Sequence, residues 1–469
     1  TWGTIFWSQT YNTFEEIPLP KPTITTHNPS LRMEHERFRS ESIEKYAKFQ
    51  VDLLKEILGK DSVIIHDFSG GYFDKSYDFS KVGKHMDVVA YNNYPVWGGQ
   101  KEPIPAWEIA CGLDYMRGIK GQNFWITEAI MGAQGHDVIG YLPRPRQAKM
   151  WSYQGIAHGC SSLMYFRYRG ATKGAEQYCY GIIDQDNVKR RKFYEVQSFF
   201  KEMKDNETLT QSEVKSDVAV VYDYESMASF RIQRQSFLMD YKQEVYRLYR
   251  PFYKKNINMD VIPSDSDFDK YKVLLLPVMI VHKKEVQDKV RKFVSGGGTV
   301  VFTYRTAVKD YYNNLTLGQF NPTYYTDLVG GYVEEVESFQ DDQVAFLIGN
   351  EEFEGINGTA TVFRDMLKTT TAKTLFKYED EFFEDLAAVT LNEYEGGKVY
   401  YIGSGADNTI MDAIANKIIN ESNLDAIESE EGVEVVRRSL NNEDYYFVMN
   451  HTSDEKKFRN EILKAYEAK

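Results

Sequence analysis

Cysteine is scarce in this sequence, with three in 469 residues. Cys111, Cys160 and Cys179 are widely spaced and form no CxxC pair, so no disulfide framework is indicated. A reducing, cytoplasmic setting is the expectation that follows. Long apolar runs are also missing. No stretch approaches the roughly 20 apolar residues of a membrane helix, and no signal peptide is visible. Positive charge is in deficit: the formal net charge is -13. A nucleic-acid or anionic-membrane partner would want a basic face, so neither is expected. A phosphate loop is lacking too. Gly296-Gly297-Gly298 is not followed by Lys-Ser/Thr, and the glycines read as the turn from a helix into the next strand.

What is present is ordinary globular material in unusual aromatic company. The chain is 42% hydrophobic and 27% charged, and it is long enough for two to four domains. Aromatics make up 14%, with 34 Tyr and 28 Phe. That suits sugar-binding platforms and large cores alike. The opening TWGTIFWSQTYNTF has the density of a packed interior segment.

Residues 34–59 read as an amphipathic helix. Phe38, Ile43, Tyr46, Phe49, Leu53 and Ile57 recur at roughly helical spacing, and Gly59 is a plausible C-cap. Four short apolar runs follow at intervals: SVIIHDF, MDVVAYNNYP, FWITEA and SSLMYFRYR. Helical or loop material separates them, including a helix over 146–159. Such alternation predicts βα units and a parallel sheet. Each run ends on polar or aromatic groups: His66 and Asp67; Asn92, Asn93 and Tyr94; Glu128; Arg167 and Arg169. Polar groups gathered at the carboxyl ends of parallel strands suit a barrel's active face. A polar, proline-free stretch, KEMKDNETLTQSEVKSD, reads as a linker. A second α/β pattern follows it, with strands at DVAVVYDYES, YKVLLLPVMIV and GGGTVVFTYRT and helices near 236–255 and 284–295. From about 425 the runs become short and alternating, as in GVEVVRRSL and DYYFVMNHT, and predict the start of a small β domain.

Several of these stretches together resemble the β-galactosidases of glycoside hydrolase family forty-two. WGTIFWSQTYNTFEEIPLP is similar to the family's segment downstream of its fourth barrel strand, and AYNNYP to its Tyr-Pro turn after the sixth. FWITEAIMG resembles the nucleophile strand. MYFRYR followed by GAEQYCYGIID resembles the eighth strand and its loop. VAVVYDYES, YKVLLLP and GGGTVVFTYR resemble the family's amidotransferase-like trimerisation domain. The likeness implies an α/β chain in three parts. Residues 1–208 would be the C-terminal half, strands five to eight, of a (β/α)8 TIM barrel. Residues 215–424 would be an α/β trimerisation domain, and 425–469 the start of a C-terminal β domain. It implies a homotrimer acting on galactosides, with no cofactor or metal. It also implies that the general acid/base, a Glu closing the fourth barrel strand, precedes Thr1.

The resemblance assigns roles residue by residue. Glu128 matches the nucleophile of a retaining glycosidase, which needs a second carboxyl group about 5–5.5 Å away. An ionised Glu held at a strand end can attack the anomeric carbon. Glu176 matches a Glu that binds sugar hydroxyls, which donate short hydrogen bonds to a carboxylate. Trp7, Tyr94 and Phe166 match pocket-lining positions, although each also suits a core role. Cys179 stands where other members carry His, and a thiol is the weaker partner. His136 stands where some relatives place a Trp, which alters the sugar-stacking wall or leaves it to another residue. Arg167 and Arg169 could hold Glu128 ionised by charge pairing or make structural salt bridges. Two rivals stay open: a catalytically silent half-barrel and oligomerisation scaffold, and an α-L-arabinopyranosidase.

Overall fold

The structure is a computed structural model, which describes residues 10–21, 26–71, 73–380 and 382–469. Trp7 lies outside them. The chain enters through α1 (Pro29–Leu58), which starts on Asn28. The Asn28 side chain accepts from the Ser30 and Leu31 amides, and Pro29 stands at the first helical position where no amide is needed. Gly59 ends the helix with φ +100°, as the sequence led one to expect.

Then come β1 (Ile65–Phe68), α2 (Phe79–Gly83), β2 (Val88–Asn93), α3 (Ala106–Gly118), β3 (Phe124–Ala129), α4 (Gln147–Ala157), β4 (Cys160–Tyr165) and α5 (Arg191–Asp205). The four strands form one sheet in chain order, every pairing parallel. Each expected strand is therefore present. Asp67, Asn92, Glu128 and Tyr165 fall at or near the carboxyl ends, on one edge of the sheet.

The register of β3 is irregular at one place. Ile126 pairs with Tyr91 and Glu128 with Asn92, so Thr127 is an extra residue against β2. Against β4, Ile126 pairs with Leu163 and Ala129 with Tyr165, again one residue in excess. The bulge sits beside Glu128. Bulges re-aim a side chain without ending the strand.

The stretch read as a linker is structured. α5 runs to Asp205, and α6 (Glu207–Gln211) and β5 (Glu213–Val214) follow. Phe199 and Met203 continue the buried stripe begun by Val196, and β5 pairs with the strand Val433–Leu440. Polarity misled here because the segment is amphipathic rather than unstructured.

The second α/β region contains β6 (Val218–Tyr222), α7 (Tyr224–Ile232), α8 (Tyr241–Tyr253), β7 (Met259–Pro263), β8 (Val273–Leu276), α9 (Lys284–Ser295) and β9 (Thr299–Thr303). The strands are parallel in the order β9-β8-β6-β7 and buried throughout. Burial on both faces explains their continuous apolar runs. Gly296 caps α9 and Gly297 adopts φ +91° before β9, so the glycine triplet is a helix-to-strand turn. Gly397–Ile402 extends the sheet parallel to β9, and antiparallel strands between residues 331 and 394 continue it. Val433–Leu440 and Glu443–Asn450, where the alternating runs predicted short strands, form an antiparallel hairpin.

Candidate active site

Glu128 is half-buried at the β3 bulge. The Tyr94 hydroxyl, one residue beyond β2, donates to its Oε2 at 2.7 Å. Burial raises the Glu128 pKa above the ordinary glutamate range. The Tyr94 hydrogen bond pulls it down, Asp67 and Glu176 push it up, and Arg167 pulls it down. Burial and the Glu128 carboxylate together drive the Tyr94 phenol far up, so it stays a donor. A carboxylate in this setting is anchored by one neutral donor, with its other oxygen left for chemistry.

Arg167 does not pair with Glu128. Its guanidinium contacts the Glu176 carboxylate and lies 4.2 Å from the centre of the Phe166 ring. Arg169 is exposed. The arginines therefore do not clamp the nucleophile candidate; one of them holds Glu176. Phe166 is tied to β3 through its amide, which donates to the Ala129 carbonyl at 3.0 Å. Its peptide bond to Arg167 is cis.

His136 is exposed, with Nε2 3.8 Å from Glu176 Oε1. Cys179 is fully buried, and its thiol faces the Gly135 carbonyl at 3.8 Å. It props the 134–140 loop from behind. Gln134 fastens the same loop, donating to the carbonyls of Phe166 and Tyr180. The structure thus gathers Glu128, Tyr94, Phe166, Glu176, His136 and Cys179 around the carboxyl ends of β2–β4. Sequence reading missed Trp97. Its ring centre is 4.8 Å from that of Tyr94 and 5.5 Å from that of His136. The only signal was an aromatic three residues past Tyr94, in the turn Pro95-Val96-Trp97-Gly98-Gly99.

Three family models match along the chain: β-galactosidase over residues 1–206, β-galactosidase trimerisation domain over 216–425, and β-galactosidase C-terminal domain over 432–465. The chain is 30% identical over 456 residues to β-galactosidase LacZ of Heyndrickxia coagulans, covering 96% of this chain and 67% of that one. It is 29% identical over 465 residues to β-galactosidase BgaA of Clostridium cellulovorans, covering 97% and 69%. A solved β-galactosidase from Bacillus circulans sp. alkalophilus superposes with a TM-score of 0.91 at 27% identity, covering all of this chain and 71% of that one. Gan42B, a family forty-two β-galactosidase, gives 0.92 at 26%, covering all of this chain and 72% of that one. The chain spans about two thirds of the length of its curated relatives. With a parallel sheet that ends on Glu128 and Tyr94 and these likenesses along nearly its whole length, the chain belongs to the β-galactosidases of glycoside hydrolase family forty-two.

Proposed function

We propose that this chain carries the nucleophile side of a retaining β-galactosidase. Glu128 attacks the anomeric carbon of a terminal β-D-galactosyl residue, and a galactosyl-enzyme ester forms as the leaving group departs. Water then attacks the ester and releases galactose with its configuration retained. The acid/base Glu lies outside these 469 residues, as does the first half of a (β/α)8 barrel of which β1–β4 are strands five to eight. Glu176, steadied by Arg167, accepts hydrogen bonds from galactose hydroxyls. Tyr94 and Phe166 line the sugar, while Cys179 supports the wall. The amidotransferase-like α/β region joins three copies. The observation that carries the reading is the Tyr94–Glu128 hydrogen bond at the β3 bulge, because it fixes a carboxylate at the strand end without neutralising it by an ion pair.

The second reading, a silent half-barrel scaffold, draws on α1. Phe38, Tyr46, Phe49 and Ile57 on that helix are each at least 60% exposed, and both outer strands of the four-stranded sheet have an unpaired edge among the described residues. Such surfaces call for a covering partner.

Incubation with a dinitrophenyl 2-fluoro-galactoside separates the two. That leaving group departs without acid assistance, so labelling needs the nucleophile alone. A stable galactosyl adduct mapped to Glu128 by peptide mass supports the glycosidase. An unlabelled protein of the bare 469-residue mass supports the scaffold.

A further inference from the structure

The loop after β2 and the loop after β3 meet along a seam too tight for side chains. A Cβ on Gly98 would sit 2.6 Å from the Val138 carbonyl oxygen, and one on Gly140 would sit 2.3 Å from the Trp97 carbonyl oxygen. Real Cβ atoms do not come so near, so glycine at both places lets the two backbones touch. One hydrogen bond crosses the seam, from Tyr141 N to Gln100 O at 3.2 Å, and the loop after β3 is closed on itself by Gly140 N donating to Gln134 O at 2.9 Å. Trp97 rises from this seam. Its own amide donates to the Gln100 side chain at 2.7 Å.

The indole is held by its neighbours as well as by its backbone. Its plane stands at 75° to the Tyr94 ring and at 89° to the His136 ring. Edge-to-face contacts of this kind are favourable and directional. The same Tyr94 that touches Trp97 donates to Glu128, and the same His136 lies beside Glu176. Moving outward from the nucleophile candidate, the order is Glu128, Tyr94, Trp97, His136. The first three are half-buried and the last is exposed. Trp97 is thus a rigid, partly open aromatic surface one ring outward from the group that orients the nucleophile. Arg167 and Glu176 are paired with each other.

We infer that Trp97 is the stacking platform for the leaving-group ring of the galactoside, with His136 as its outer lip. The inference rests on the glycosidase reading of the same site. An indole face packs against an aryl ring or the C–H face of a pyranose. Trp97 would then select for a ring-bearing aglycone over an acyclic one and leave recognition of galactose to Glu176 and its neighbours.

The test measures competition by two inert thiogalactosides against labelling of Glu128 by the 2-fluoro reagent. One carries an isopropyl aglycone and the other a nitrophenyl ring. The wild-type chain should bind the nitrophenyl compound about tenfold more tightly, the scale of one good aromatic contact. In Trp97→Ala that preference should collapse, while the isopropyl compound binds as before. Trp97→Phe should keep most of the preference, and matching thermal unfolding of the variants guards against simple misfolding. Equal weakening of both compounds would place Trp97 under the galactosyl ring and overturn the assignment. An unchanged preference in Trp97→Ala would overturn it as well. Failure of the wild-type chain to label at Glu128 is a different result: it brings down the glycosidase reading, and the platform with it.

Discussion

At the scale of single residues, the chemistry of Glu128 is set by a contest between burial and one phenol. Enclosure disfavours the carboxylate and raises its pKa, and the Tyr94 hydroxyl opposes that rise. Only the ionised form attacks, so labelling by the 2-fluoro reagent should fall on the acid side, with a midpoint above the ordinary glutamate value of about 4.3. Removing the donor removes a pKa-lowering contact. Tyr94→Phe should therefore move the acid limb to higher pH and slow labelling at pH 5 more than at pH 7. The pH profile of the second-order labelling constant checks this, and an acid limb that stays in place in Tyr94→Phe would show that the hydrogen bond does not tune the nucleophile. Glu128, Tyr94 and Glu176 were legible in the sequence because strand ends and a family motif locate them. Trp97 was not, since its place depends on two loops meeting across Gly98 and Gly140. Nor was the partner of Arg167, which the sequence left open between Glu128 and a structural salt bridge and which geometry assigns to Glu176.

At the scale of elements, α1 inverts a simple expectation. Its apolar residues at Phe38, Tyr46, Phe49 and Ile57 face outward, while Arg37 and Ser40 are buried with Met33 and Val51. The buried stripe is real and has helical spacing. It was overlooked because it contains a charge. Arg37 reaches Glu225 of α7 at 2.6 Å and Glu34 at 2.7 Å, and it donates to the Tyr311 carbonyl. Glu225 in turn holds Lys283 at 2.8 Å, and Lys283 holds Asp223. The helix is thus bolted to the second α/β region by ion pairs on the side a hydropathy pattern calls polar. Arg37→Met should cost about 3 kcal/mol, because it leaves the largely buried Glu225 with Lys283 as its remaining charge partner. Phe49→Ser should change stability by no more than about 0.5 kcal/mol. Urea midpoints at unchanged slope measure both. The reverse ranking would mean that the outward face, not the ion-paired one, is the side of α1 that the folded chain buries.

At the scale of the whole molecule, the three regions converge on one buried imidazole. His158, just past α4, has Nδ1 2.7 Å from Asp114 of α3 and Nε2 2.9 Å from Glu434 of the C-terminal hairpin. Tyr249 of α8 donates to Asp114 at 2.7 Å, and Arg117 pairs with both Asp114 and Asp260 at 2.8 Å. His451 and Gln154 also contact Glu434, at 2.7 and 3.0 Å. None of this was readable from sequence, because the partners lie up to 280 positions apart and each alone looks like an ordinary surface residue. Burial works against charging His158, but its two carboxylates prevail and lift its pKa to about 9; burial likewise works against the Glu434 carboxylate, but its histidine partners and their hydrogen bonds prevail and bring it down to about 2. For a group raised on folding, the stabilisation is complete below its unfolded pKa, near 6.5, and disappears as the pH climbs through about 9. For Glu434, lowered on folding, it is present above about 4.3 and lost as the pH falls toward 2. The junction is therefore tightest between about pH 5 and 6.5. The thermal midpoint of the wild-type chain should drop by several degrees from pH 6.5 to 9, as up to about 3 kcal/mol is withdrawn. His158→Gln keeps a hydrogen-bonding side chain but cannot titrate. It should start lower at pH 6.5 and decline less over the same interval. Parallel declines in the two proteins would mean that other groups set the alkaline limit and that His158 does not hold the three regions together through its charge.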